Sequence, residues 1–138
     1  MYHIIGLGVV AAVLLAGGAW WSQSLTAKDP SVVSTDGIHW HPELEIYARG
    51  ERVAIPENVG LLGAHSPIHT HDDLPIIHME FATAVMREDT ELGNFFRVWG
   101  KDFMEFGSEV TMTVNGEVNT EFASYQVHDG DRIELRYE

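Results

Sequence analysis

The chain has 138 residues, with 8 Lys+Arg against 21 Asp+Glu and a formal net charge of -13 at pH 7. A surface that acidic repels phosphate backbones, which excludes nucleic acid as a partner and favours cations. There is no cysteine, which excludes a lipoprotein anchor, thiolate catalysis, iron–sulfur clusters and Cys-type structural zinc sites.

Ile4–Trp21 runs for 18 residues without a charge, close to the roughly 20 that cross a bilayer. Trp20 and Trp21 stand where interfacial aromatics lie. Residues 1–21 therefore read as a transmembrane helix, either a retained anchor or a signal segment cleaved near Gly18. The head Met1-Tyr2-His3 lacks the basic residues of a signal, so a single-pass anchor is favoured. The acidic body that follows is expected on the extracytoplasmic side of the cell membrane. Gly6, Gly8, Gly17 and Gly18 would let the helix pack closely against a protein partner in a membrane complex. Residues 22–35 are polar, contain Pro30 and read as a linker. The domain is then expected over 36–138.

Ile38–Ala48 alternates. Trp40, Pro42, Leu44, Ile46 and Ala48 share one parity, and His39, His41, Glu43, Glu45 and Tyr47 share the other, as in a half-buried strand. Arg49-Gly50-Glu51 is a turn, and Arg52–Ile55 a return strand ended by Pro56. Residues 56–63 form an irregular connector.

Ala64–Phe81, AHSPIHTHDDLPIIHMEF, is the most informative stretch. His65, His69 and His71 share a parity. Asp72-Asp73-Leu74-Pro75 has turn chemistry. Beyond it, Ile77, Met79 and Phe81 alternate with His78 and Glu80. A hairpin would gather His69, His71, His78 and Glu80 on one surface.

Leu92, Phe95, Phe96, Trp99 and Phe103 recur at the spacing of one helical face. A helix is expected over Thr90–Phe103, capped by Asp89 or Thr90 and stopped at Gly100, its aromatic stripe packed on a sheet. Val110–Val114 and Glu117–Thr120 flank Asn115-Gly116, a strong hairpin signal. His128–Asp131 is a turn ahead of the alternating strand Arg132–Tyr137. The expected fold class is α+β: a transmembrane helix, then a small, mostly antiparallel sheet domain with one packed amphipathic helix.

Three ligand pairs stand at i, i+2 spacing: His39/His41, His69/His71 and His78/Glu80. On a strand both members of each pair project from one face. Imidazole and carboxylate gathered this way suit a divalent transition metal, copper first by affinity order and zinc second. One ion through His69, His71 and His78, completed by His39, His41 or Glu80, is the primary expectation. His65 is a further candidate ligand, and two ions are an alternative. His3 and His128 are read as incidental. The competing reading is a pH-responsive or hydrogen-bonded histidine network. Gly63-x5-His69-x-His71 echoes half a cupin motif, but the other half is missing.

The expected role is to hold or deliver metal at the membrane. The alternatives are a metal-dependent redox or hydrolytic enzyme and an accessory subunit of a membrane complex. For an enzyme, Glu43, Glu80, Asp72 or Asp73 could be a base and Tyr47 a redox partner. No nucleophile elbow, phosphate loop or dinucleotide fingerprint is present.

The motifs HWH, HTHDD…IIHME, LGNFFRVWG and TVNGEVNTEF…HDGDRIELRYE together resemble an uncharacterised family of small, membrane-anchored prokaryotic proteins. The similarity runs from about Gly37 onward and implies that these segments form one domain. It implies no activity. Family members carry a glycine just before the third motif, where this chain has Pro75. The last thirty or so residues also resemble the end of a β-grasp, ubiquitin-like domain, without the Gly-Gly tail of sulfur-carrier proteins.

Overall fold

A computed structural model describes residues 29–138. The expected transmembrane segment and most of the expected linker lie outside the described residues. Among the described residues no helix is long and apolar enough to cross a membrane.

The alternating patterns become strands, but they are shared among three sheets. β1 (Val32–Ser34) pairs with β7 (Val85–Met86), so a strand forms inside the stretch expected as linker. The long alternating run of Ile38–Ala48 is divided into β2 (Ile38–Trp40) and β3 (Glu43–Ala48). The break falls at His41-Pro42, because proline has no N–H to continue a ladder. β2 joins a three-stranded antiparallel sheet in the order β2-β6-β5, where β5 is Ile68–His69 and β6 is His78–Phe81. β3 joins a five-stranded sheet in the order β4-β3-β10-β8-β9. Here β4 is Glu51–Arg52, β8 Val110–Val114, β9 Glu117–Val118 and β10 Arg132–Tyr137.

Most pairings are antiparallel, as expected, but the central pair β3 and β10 runs parallel, with Arg132 opposite Glu43 and Tyr137 opposite Ala48. β8 flanks β10 on its other side, antiparallel. The two hairpins close with backbone of the type their sequences require. Asn115 and Gly116 have φ of 54° and 85°, and Arg49 and Gly50 have φ of 50° and 81°, the left-handed pair of a two-residue hairpin turn. β4 and β9 are shorter than expected, since each edge has only one neighbour to pair with.

The helix α1 (Leu92–Trp99) is shorter than the Thr90–Phe103 span, and its N-cap is Glu91. Asp89 and Thr90 are instead used in a 3-10 turn over Arg87–Thr90, where the Asp89 carboxylate accepts the Met86 N–H at 2.8 Å. Gly100, at φ 75°, ends the helix as expected. The Asn94 side chain is buried and donates to the Glu88 and Asp89 carbonyls, which ties α1 to the preceding turn.

Leu92, Phe95 and Phe96 of α1 pack into one core with Leu44, Ile46, Met112, Ile133, Leu135 and Tyr137 of the five-stranded sheet. Ile68, Ile77 and Met79 of the smaller sheet enter the same core. Around one small apolar cavity they meet Leu44, Phe95, Val127 and Ile133. The apolar faces of both sheets thus share one interior, and the histidine-bearing face of the smaller sheet is left outside it.

Two results should follow. Leu135 is fully buried on the central strand, so Leu135→Ala should destabilise the fold by about 2–5 kcal/mol, read by chemical denaturation. Burial raises the Tyr125 phenol, helped by its bond to Asp131, and burial also raises that of Tyr137. The unfolded chain therefore ionises first, near pH 10. Stability should be complete below that pH and fall as pH rises above it, which thermal melts across the alkaline range will show.

Candidate metal centre

The site follows from the register of three strands. On β2 and β6, Ile38 faces Phe81, His39 faces Glu80 and Trp40 faces Met79. The same register resumes beyond the proline at Glu43 opposite Ile76. In between, Ile77 N–H donates to the Pro42 carbonyl at 2.8 Å and Leu44 N–H to the Pro75 carbonyl at 2.9 Å. That continuity sets His41 opposite His78. On the other side of β6, His69 faces His78 directly. His69, His78 and His41 thus form one row across three strands, and His39 with Glu80 forms the next.

The distances agree. The His69 and His78 rings are 5.4 Å apart and nearly parallel at 12°, and the His41 and His78 rings are 4.9 Å apart. His71, just past β5, folds over this row, with its ring 4.9 Å from that of His69 and 4.8 Å from that of His78. Two groups result: His69, His71 and His78, and His39, His41 and Glu80. In each, one ligand atom per residue lies within 4.8 Å of the others, so either group could hold a metal ion. Among the expected ligands, His65 is the exception. It is exposed and belongs to neither group, because the chain between it and Ile68 is not a strand and its parity has no effect there.

Hydrogen bonds orient the inner rings. Asp73 carboxylate oxygens lie 3.0 and 3.2 Å from His78 Nε2. A carboxylate only accepts, so Nε2 carries the proton and Nδ1 presents its lone pair. His78 Nδ1 is buried and has no hydrogen-bond partner among the described residues. His69 Nδ1 lies 3.1 Å from the Ser66 carbonyl, which assigns its proton to Nδ1 and leaves Nε2 as the lone pair. A carboxylate or carbonyl behind a ligand imidazole is the usual outer support of a metal site. Burial lowers the His69 pKa, and the neighbouring His71 and His78 act in the same direction against the Ser66 bond and the Glu80 charge. Neutral imidazole is the form that binds metal.

Neighbouring segments fix the strands that carry these rings. Thr70, fully buried between His69 and His71, donates its hydroxyl to the Pro56 carbonyl at 2.8 Å and accepts the Val59 N–H at 3.0 Å. Gly60 passes so close to β5 that a Cβ there would sit 2.4 Å from the Ile68 carbonyl oxygen. At the other end, the His41 N–H donates to the Asp129 carboxylate at 2.8 Å, and the His128 ring lies 6.2 Å from Trp40. Asp131 is buried and accepts from the Tyr125 hydroxyl, the His128 N–H and the Asn115 side chain. The turn that carries His128, itself read as incidental to metal binding, is therefore a brace for His41 through Asp129. The HDGD pattern showed a turn, and only the fold shows what the turn holds.

Comparison with known protein families, curated proteins and solved structures finds no match to this chain. The class stands on geometry alone: a small α+β domain carrying histidine groups that could hold a metal.

The two protonation sites can be checked directly. Long-range proton–nitrogen NMR spectra near neutral pH should show His69 protonated at Nδ1 and His78 at Nε2. The opposite tautomer at either ring would contradict the hydrogen-bond geometry.

Proposed function

We propose that this protein binds a divalent transition metal through His69, His71 and His78, and holds or delivers it at the outer face of a membrane. The single observation that carries the reading is His78 Nδ1: a buried nitrogen with no hydrogen-bond partner among the described residues, on a ring held from behind by Asp73, facing two further imidazoles. Leaving such a nitrogen bare costs about 1–3 kcal/mol, and a metal ion is the partner that this donor set suits. Imidazoles without thiolates favour Cu(II), then Zn(II). The membrane placement rests on the uncharged run Ile4–Trp21 and the acidic body behind it. The order β4-β3-β10-β8-β9, with its parallel central pair and a helix between the hairpins, supports extending the β-grasp resemblance to this sheet.

A second reading, metal-dependent catalysis, is favoured by the count of inner ligands. Three imidazoles leave a coordination position open, as in catalytic zinc sites. Saturable turnover of an activated ester by the zinc-loaded chain, abolished with the inner histidines, would select it.

Titration of the full chain with Cu(II) and Zn(II), read by elemental analysis and thermal stability, tests the proposal. Binding should raise the melting temperature, and His69→Ala/His71→Ala should abolish it, whereas His128→Ala should retain it. Asp73→Asn should weaken affinity about 10–100-fold. No bound metal and an unchanged melting temperature at micromolar ion would overturn the reading.

A further inference from the structure

We propose that His39, His41 and Glu80 form a second divalent-metal site contiguous with the first, so that the domain carries a two-ion centre with the Glu80 carboxylate between the ions. The inference rests on the inner-site reading and extends it.

Several observations converge. The ligand atoms of this outer group lie within 4.8 Å of one another, independently of the inner group. The His39 and His41 rings are 4.7 Å apart, and His39 Nε2 lies 3.2 Å from Glu80 Oε1. The same Oε1 lies 3.7 Å from His78 Nδ1, the buried nitrogen assigned to the inner ion. Glu80 is thus a carboxylate that lies against both groups, which also meet through the His41 and His78 rings. A carboxylate has two oxygens and can ligate two cations at once, which is how paired metal sites separated by about 3.5–4 Å are commonly held. The register supplies the reason: Glu80 and His78 share the face of β6 turned away from the core, where Glu80 pairs with His39 and the continuing register sets His78 opposite His41.

Exposure separates the two sites. The His39 side chain is 65% exposed and that of Glu80 41%, against 11% for His78. The outer ion is therefore open to solvent and to an exchanging ligand, while the inner one is enclosed. Such an arrangement suits capture at the outer position and retention at the inner one. The outer group is also anchored: Asp129 holds the His41 backbone, and Gly37 comes just before β2, where a Cβ would lie 2.2 Å from the Phe81 carbonyl oxygen. Both strands are pinned at this edge, so the ligands do not depend on a mobile loop for their approach.

The experiment uses the full chain with Cu(II) alone as probe. Elemental analysis after equilibration should give two ions per chain, the second weaker than the first. Electron paramagnetic resonance should show a dipolar half-field signal at two equivalents that is absent at one. His39→Ala, at an exposed position, should reduce the stoichiometry to one, abolish the half-field signal and leave the first affinity unchanged, whereas Glu80→Gln should do the first two and also weaken the first affinity. Circular dichroism of the variants verifies that they are folded. One ion per chain in the parent protein, lost in His69→Ala/His71→Ala, would overturn the second site and leave the inner site standing. No ion in the parent protein would overturn both.

Discussion

The pairing register of β6 is the constraint on which this domain depends. Its even-numbered side chains, His78 and Glu80, face one way, while Met79, and Ile77 just ahead of the strand, face the shared core. Each buried apolar side chain of that kind is worth about 1.5–3 kcal/mol. A one-residue slip would expose them and drive the histidine and glutamate inward. The energy that fixes the ligand row is therefore spent on its reverse side. His41, His69 and His78 meet because Trp40, Ile68 and Met79 pack behind them, and not because imidazoles attract one another.

Imidazoles in fact gain little from such proximity. Five rings lie in a continuous chain of contacts from His39 through His41 and His78 to His69 and His71. Protonating several of them together would place like charges side by side. Burial already favours the neutral form of His69. The carboxylates are placed at the margin: Asp73 behind His78, and Glu80 between His78 and His39. A cluster of imidazole donors flanked by carboxylates in a chain of net charge -13 is an electrostatic well for a cation.

Most of the elements were legible, since side-chain parity and turn residues are local properties. Asn115-Gly116, Gly100 and the alternation in Arg132–Tyr137 each produced the expected turn, helix stop and strand. So did the facing of His78 and Glu80 away from Met79. What local pattern could not convey was partnership. The alternation of Ile38–Ala48 runs unbroken through Pro42, yet that residue hands the chain from one sheet to another. The parallel β3–β10 pair joins segments almost ninety residues apart in the chain, and nothing in either segment names the other. The ligand set suffered in the same way. His65 has the right parity but no strand to express it, while Asp129, outside every ligand pair, holds His41. The six residues expected as ligands besides His65 do gather, but as two groups and not one shell.

The division at His41-Pro42 has a consequence for the unfolded chain. His69 and His78 are 9 positions apart, and His41 and His78 are 37 apart. An ion confined to the inner group closes a short loop, which a disordered chain forms readily. An ion that also captures His41 closes a loop about four times longer, and two doublings of loop length remove about 1.2 kcal/mol more conformational freedom from the denatured ensemble. The outer ligands would thus act as a cross-link between distant stretches of the chain, tying β2 and the His41 that follows it to β6. Metal occupancy would then register in the folding cooperativity of the whole domain and not only at its rim.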